Sequence, residues 1–110
     1  MIEDYSFGHI TIDGKEYTND VLIKGDSVEE WWRKESHNVE KEDIKEAVEE
    51  EPELLVIGAG DSGRMEVPQE TKDYIEKKGI RLVVEETGKA VETFNNAEEN
   101  NKIAALHLTC

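Results

Sequence analysis

The chain opens on alternating hydrophobic and polar positions and later turns to short unbroken apolar runs. Ile10 and Ile12, then Tyr17, recur at period two among polar neighbours, the pattern of half-buried strands. Asp13-Gly14 lies between them, a pair suited to the positive φ values of a type I′ turn. A two-residue loop then places Ile12 opposite Lys15 and Ile10 opposite Tyr17 on the core side. Val21 and Ile23 continue the alternation. An isolated hairpin is marginal in water, so this face requires a cover.

Three apolar runs follow at helical intervals: Leu54-Leu55-Val56-Ile57, Ile80-Arg81-Leu82-Val83-Val84 and Ile103-Ala104-Ala105-Leu106-His107-Leu108. Without alternation they read as strands covered on both faces. Between Lys41 and Glu51, Ile44, Ala47 and Val48 form an i, i+3, i+4 stripe, and Pro52 stops that helix. A second helix starts near Pro68, buries Thr71, Tyr74 and Ile75, and ends at Gly79. A third is capped by Thr87 and turns Ala90, Val91, Phe94 and Ala97 inward. Strand, helix, strand, helix, strand implies right-handed crossovers and three parallel strands. With both sheet faces needing cover, the layers become helices on one side and the hairpin with the remaining helix on the other. The expected fold is a compact three-layer α/β domain over residues 1–110, an N-terminal β-hairpin plus a β-α-β-α-β unit with a mainly parallel central sheet.

Lys24 to Asn38 carries conflicting signals. Ser27-Val28-Glu29-Glu30 fits a capping box and a short helix. Trp31 and Trp32 are adjacent, which sends one to the core and leaves the other half exposed, and the charged flanks, Arg33 among them, read as surface.

Composition narrows the function classes. The 110 residues suffice for one core and not for two ordinary domains. A formal charge of −14 repels nucleic-acid phosphates and anionic membranes. Half of that charge lies between Glu29 and Glu53, where eleven acids face four bases. No run approaches the roughly 18–20 apolar residues of a membrane span. Met1-Ile2-Glu3-Asp4 is unlike a secretory leader. The one cysteine, Cys110, forms neither an internal disulfide nor a cysteine-based structural zinc site. A reducing cytoplasm is the expected compartment.

Leu55-Val56-Ile57-Gly58-Ala59-Gly60 is followed by Glu66-Val67-Pro68, Tyr74-Ile75, Lys78-Gly79-Ile80, Ala90-Val91 with Asn95, and a closing His107-Leu108-Thr109-Cys110. This ordered set, with Asp13-Gly14, Trp32 and His37, resembles the small-domain family of the animal adipogenesis-associated protein and the related mitochondrial complex I assembly factor. That family has archaeal and bacterial members of unknown function. The resemblance covers nearly the whole chain. It implies a compact three-layer α/β domain and a largely extended stretch from Gly25 to His37. It brings no catalytic residue, substrate or cofactor.

Gly58-Ala59-Gly60-Asp61-Ser62-Gly63 matches G-x-G-x-x-G after a buried strand, but Arg64-Met65-Glu66-Val67-Pro68 intervenes before the next helix, unlike a dinucleotide fingerprint. A looser role is an anion nest at the strand end, with Gly58, Gly60, Ser62, Gly63 and Arg64 supplying donors. His37, His107 and Cys110 are the other reactive types, and no H-x-x-x-H spacing suggests a metal. His107 reads as a half-buried strand residue. Should the tail fold back to the Gly58 loop, Cys110, a histidine and an arginine converge. The exposed member of Trp31 and Trp32 is a candidate partner anchor. These residues point to binding or assembly ahead of catalysis: an interaction or assembly accessory module acting through a protein partner or self-association, with no cofactor. The alternative is a small-anion or metabolite binder, with a weak enzyme as its extension, on the Gly58–Arg64 loop.

Overall fold

The structure, a computed structural model, describes all 110 residues. Strands β1 (Ile2–Ser6), β2 (His9–Ile12) and β3 (Lys15–Tyr17) form an antiparallel sheet in that order. Asp13 and Gly14 take φ of 49° and 82°, the two positive values of a type I′ turn. Ile12 faces Lys15 and Ile10 faces Tyr17, as the alternation predicts. The charged segment Ile2–Ser6 adds a strand that the hydrophobic pattern did not announce; Tyr5 pairs with Ile10.

Five more strands build the central sheet: β4 (Val21–Lys24), β5 (Ser27–Glu30), β6 (Leu54–Ala59), β7 (Arg81–Glu85) and β8 (Lys102–His107), ordered β5-β4-β8-β6-β7. β6 lies parallel to both β7 and β8, the expected parallel trio. β4 joins β8 antiparallel and carries β5 on its outer edge, so the sheet is mixed. Of the conflicting signals over Ser27–Glu30, the extended conformation implied by the family resemblance is the one adopted, and the capping box starts no helix. Gly25, at φ 57°, closes a tight turn that lays Ile23 beside Val28, and ladder bonds to β4 replace a helix too short to bury a face.

Helices α1 (Lys41–Glu49) and α2 (Gln69–Glu76) cover one face of the sheet. Ile44, Val48 and Ile75 pack there with Leu55, Ile57, Ile103 and Ala105. Helix α3 (Thr87–Asn96) and the small sheet cover the other. Val91 and Phe94 meet Ile10, Ile12, Leu54, Val56 and Leu106 there. Alternate residues of β6 and β8 therefore enter opposite cores, which explains their unbroken hydrophobicity. Leu55 is fully buried, and its truncation to alanine costs about 2–5 kcal/mol.

Two helix ends depart from their sequence signals. α1 stops at Glu49, and Glu51 leaves with φ 51° ahead of Pro52. Thr87 is the first residue of α3, not its cap, because its hydroxyl is engaged elsewhere: it accepts from the Gly60 N–H at 2.9 Å and donates to the His107 carbonyl at 2.5 Å. That hydroxyl ties the ends of β6 and β8 together.

Candidate functional site at the ends of the central strands

β6 and β8 finish side by side, and β4 starts beside the end of β8. Val21 pairs with Leu106, which sets Asp20 across from His107. Asp20 Oδ2 lies 2.8 Å from His107 Nδ1, and Asp20 Oδ1 accepts the Leu108 N–H at 2.8 Å. A carboxylate only accepts, so Nδ1 carries a proton, and in the neutral imidazole Nε2 presents its lone pair. His107 is 4% exposed, and its Nε2 has no hydrogen-bond partner.

Arg33 completes this buried group. Its side chain is 4% exposed, with NH1 2.8 Å from Asp20 Oδ2 and NH2 donating to the Ser36 carbonyl at 2.9 Å. NH2 also lies 3.1 Å from His107 Nδ1. Two donors cannot bond each other, so this contact is the crowding of Arg33 and His107 around one carboxylate. The guanidinium sits 4.5 Å from the Trp31 ring, whose Nε1 donates to the Asp43 carbonyl at 2.8 Å. The reading of Arg33 as a surface flank is corrected: stacking and the Asp20 charge draw it inward. Burial pushes the Asp20 carboxyl up, yet hydrogen bonds from His107, Leu108 and Arg33 prevail and hold it below its ordinary value.

The tail brings the remaining groups. Leu108 O accepts from the Tyr5 hydroxyl at 3.0 Å and from the Gly8 N–H at 2.9 Å, and Thr109 O accepts the Asp61 N–H at 3.2 Å. Burial, then the charge of Asp61, pushes the Tyr5 phenol up to about 12. So anchored, the tail sets Cys110 Sγ 3.1 Å from His37 Nε2. The His37 loop is held in turn by the Glu66 N–H, which donates to the His37 carbonyl at 2.8 Å. The His37 and His107 rings meet edge to face at 6.1 Å between centroids. His37, His107 and Cys110 each offer a ligand atom within 4.8 Å of the other two.

The structure thus realises the back-folded tail, but with Arg33 and two histidines in place of Arg64. Separations of 70 and 73 residues hid the histidine–cysteine cluster from any spacing motif. Asp20 and Arg33 were missed because their roles depend on β4 joining β8. The Gly58–Arg64 loop is arranged differently from a nest. The Gly60 N–H is taken by Thr87, that of Asp61 by Thr109 and that of Gly63 by the Gly60 carbonyl at 3.0 Å. Gly58 lies within β6 against Leu106 and Thr87, while Ser62 and Arg64 are exposed and Arg64 forms no ion pair. Gly60, at φ 100°, gives the tail its passage.

Trp31 is 5% exposed and Trp32 74%, so the pair divides as expected, with Trp32 more exposed than half. An open groove of about 600 Å³ runs past Trp32, Arg33, His107 and Thr109. A more enclosed cleft, about 230 Å³ between Ile12, Val28 and Phe94, lies at the opposite end of β8, away from the reactive groups. Its size falls below the roughly 300 Å³ at which ligand pockets begin, and the chemistry at His107 marks the more informative place. No helix is long and apolar enough to cross a membrane.

A small mixed α/β domain is also what comparison with known proteins returns. Residues 2–108 match the family described as protein of unknown function (DUF498/DUF598), and the chain belongs to that family. The conserved hypothetical protein PH1505 from Pyrococcus horikoshii OT3 is 24% identical, with a TM-score of 0.89 over 100% of this chain and 99% of that one. The structure titled MT938 is 28% identical, with a TM-score of 0.81 over 100% and 98%. A Bartonella henselae protein described as an outer membrane protein is 24% identical, with a TM-score of 0.82 over 99% and 94%. The family resemblance carried by the sequence, with archaeal and bacterial members of unknown function, is shown.

Proposed function

We propose that the protein binds a small ligand at the His107 centre, where the end of β8, the Trp31–Asn38 loop and the tail meet. This keeps the binding reading and moves it off the Gly58–Arg64 loop, whose amides are internally bonded. The observation that carries it is the unpartnered Nε2 of His107, 4% exposed, while Nδ1 is fixed by Asp20. Leaving a buried polar atom unpaired costs about 1–3 kcal/mol, and such atoms mark places where a partner is to be supplied. The groove past Trp32 and Thr109 offers the approach. The reading requires Cys110 to stay reduced, the condition of the cytoplasm. It assigns binding and no reaction.

A thermal-shift panel of anions, metabolites and divalent ions tests this, comparing the native chain with His107→Asn. The asparagine amide can occupy the place of Nδ1 and donate to Asp20, while Nε2 is lost. A compound raising the native melting temperature and leaving His107→Asn unmoved is expected. Stabilisation of both alike, or of neither by any compound, contradicts the reading. Assembly through Trp32 remains the second reading, favoured by that ring's 74% exposure. It predicts that Trp32→Ala abolishes self-association in analytical ultracentrifugation.

A further inference from the structure

Resting on the ligand-binding reading of the same centre, we infer that His107, His37 and Cys110 form a site for a soft divalent cation of the zinc class. The donor set is two imidazoles and one thiolate, the chemistry that selects zinc over magnesium or calcium. Tetrahedral zinc separates its donor atoms by about 3.3–3.6 Å, given bond lengths of about 2.0–2.3 Å. The three donors already lie within 4.8 Å of one another, with His37 Nε2 3.1 Å from Cys110 Sγ. Small side-chain movements of the exposed His37 and half-buried Cys110 close the remainder.

His107 is the rigid member. Its Nδ1–H to Asp20 is the carboxylate–histidine pairing that orients metal-bound imidazoles and raises their basicity, and Nε2 is left as the ligand atom. Asp20 is therefore a positioning residue. Arg33 and Asp20 offset one another beside His107, so a dication does not meet a net positive centre. The formal charge of −14 favours cation entry further. On binding, Cys110 gives up its thiol proton to solvent as the S–metal bond forms. Three protein donors leave a fourth tetrahedral position for water or an exogenous ligand.

Cobalt(II) is the probe, added to reduced, metal-stripped protein with no residues appended after Cys110. The expected result is one cobalt per chain with ligand-field bands of tetrahedral intensity and a thiolate-to-cobalt charge-transfer band, displaced by zinc. Cys110→Ser should abolish the charge-transfer band, and His37→Ala should weaken binding at least about tenfold. Asp20→Asn should weaken it about 10–100-fold while retaining the band, as expected of a residue that positions a ligand. His37 is exposed and Cys110 half-buried, so these two variants decide the matter even if an Asp20 or His107 variant unfolds. Absence of the band in the native chain, or its persistence in Cys110→Ser, overturns the inference. If cobalt and zinc fail yet an anion or metabolite stabilises metal-stripped protein in a His107-dependent way, the cation falls and the binding centre stands. If no compound does, both fall.

Discussion

At the residue scale, backbone demands at two glycines are opposite in sign. Gly60 combines φ 100° with the tail carbonyl of Thr109 where a side chain would stand. Gly60→Ala should cost about 1–3 kcal/mol in urea unfolding and loosen Cys110 with it. Gly88, in α3, has ordinary φ and open space around it, so Gly88→Ala should raise stability by roughly 0.5–1 kcal/mol. Tyr5 supplies a pH signature. Its phenol is raised from 10.0 to about 12, so the protonated form is favoured in the folded state. The stability it contributes is complete below pH 10 and is lost as pH rises towards 12. In a phenolate absorbance titration, the difference between the native chain and Tyr5→Phe should centre near 12; a centre at 10 contradicts the burial and Asp61 contacts.

At the element scale, Asp43 shows how one helix start places the site. Its carboxylate accepts the Glu40 N–H at 2.8 Å, capping α1, and the Lys34 N–H at 3.1 Å, while its carbonyl holds Trp31. Asp43→Ala should cost about 1–2 kcal/mol by chemical denaturation and shift the amide resonances of Trp31 to Lys34. Shifts confined to the first turn of α1 would contradict this anchoring. The same region marks the limit of local signals. Leu54–Ile57 and Ile103–Leu108 announced their strands because both faces of each are covered, and Asp13-Gly14 announced its turn. Ser27–Glu30 looked helical because a capping box is local, whereas its partner β4 is chosen by non-local pairing to β8. Ile2–Ser6 was silent because only Ile2 is fully buried in it.

At the scale of the molecule, the chain order is what assembles the centre. Asp20 comes from the start of β4, Arg33 and His37 from the loop after β5, His107 from the end of β8 and Cys110 from the tail. The residue types were readable in the sequence, and the folding back of the tail only as a condition; which histidines and which arginine meet there was not, because β4 had to be placed first. The unused lone pair of His107 is the feature on which the binding reading stands. A long-range proton–nitrogen NMR spectrum of the imidazoles, before and after zinc addition, addresses it directly. The account predicts that His107 carries its proton on Nδ1, and that Nε2 is bare and is the nitrogen whose resonance moves when zinc is added. A proton on Nε2, or an Nε2 resonance indifferent to every ligand offered, would contradict it.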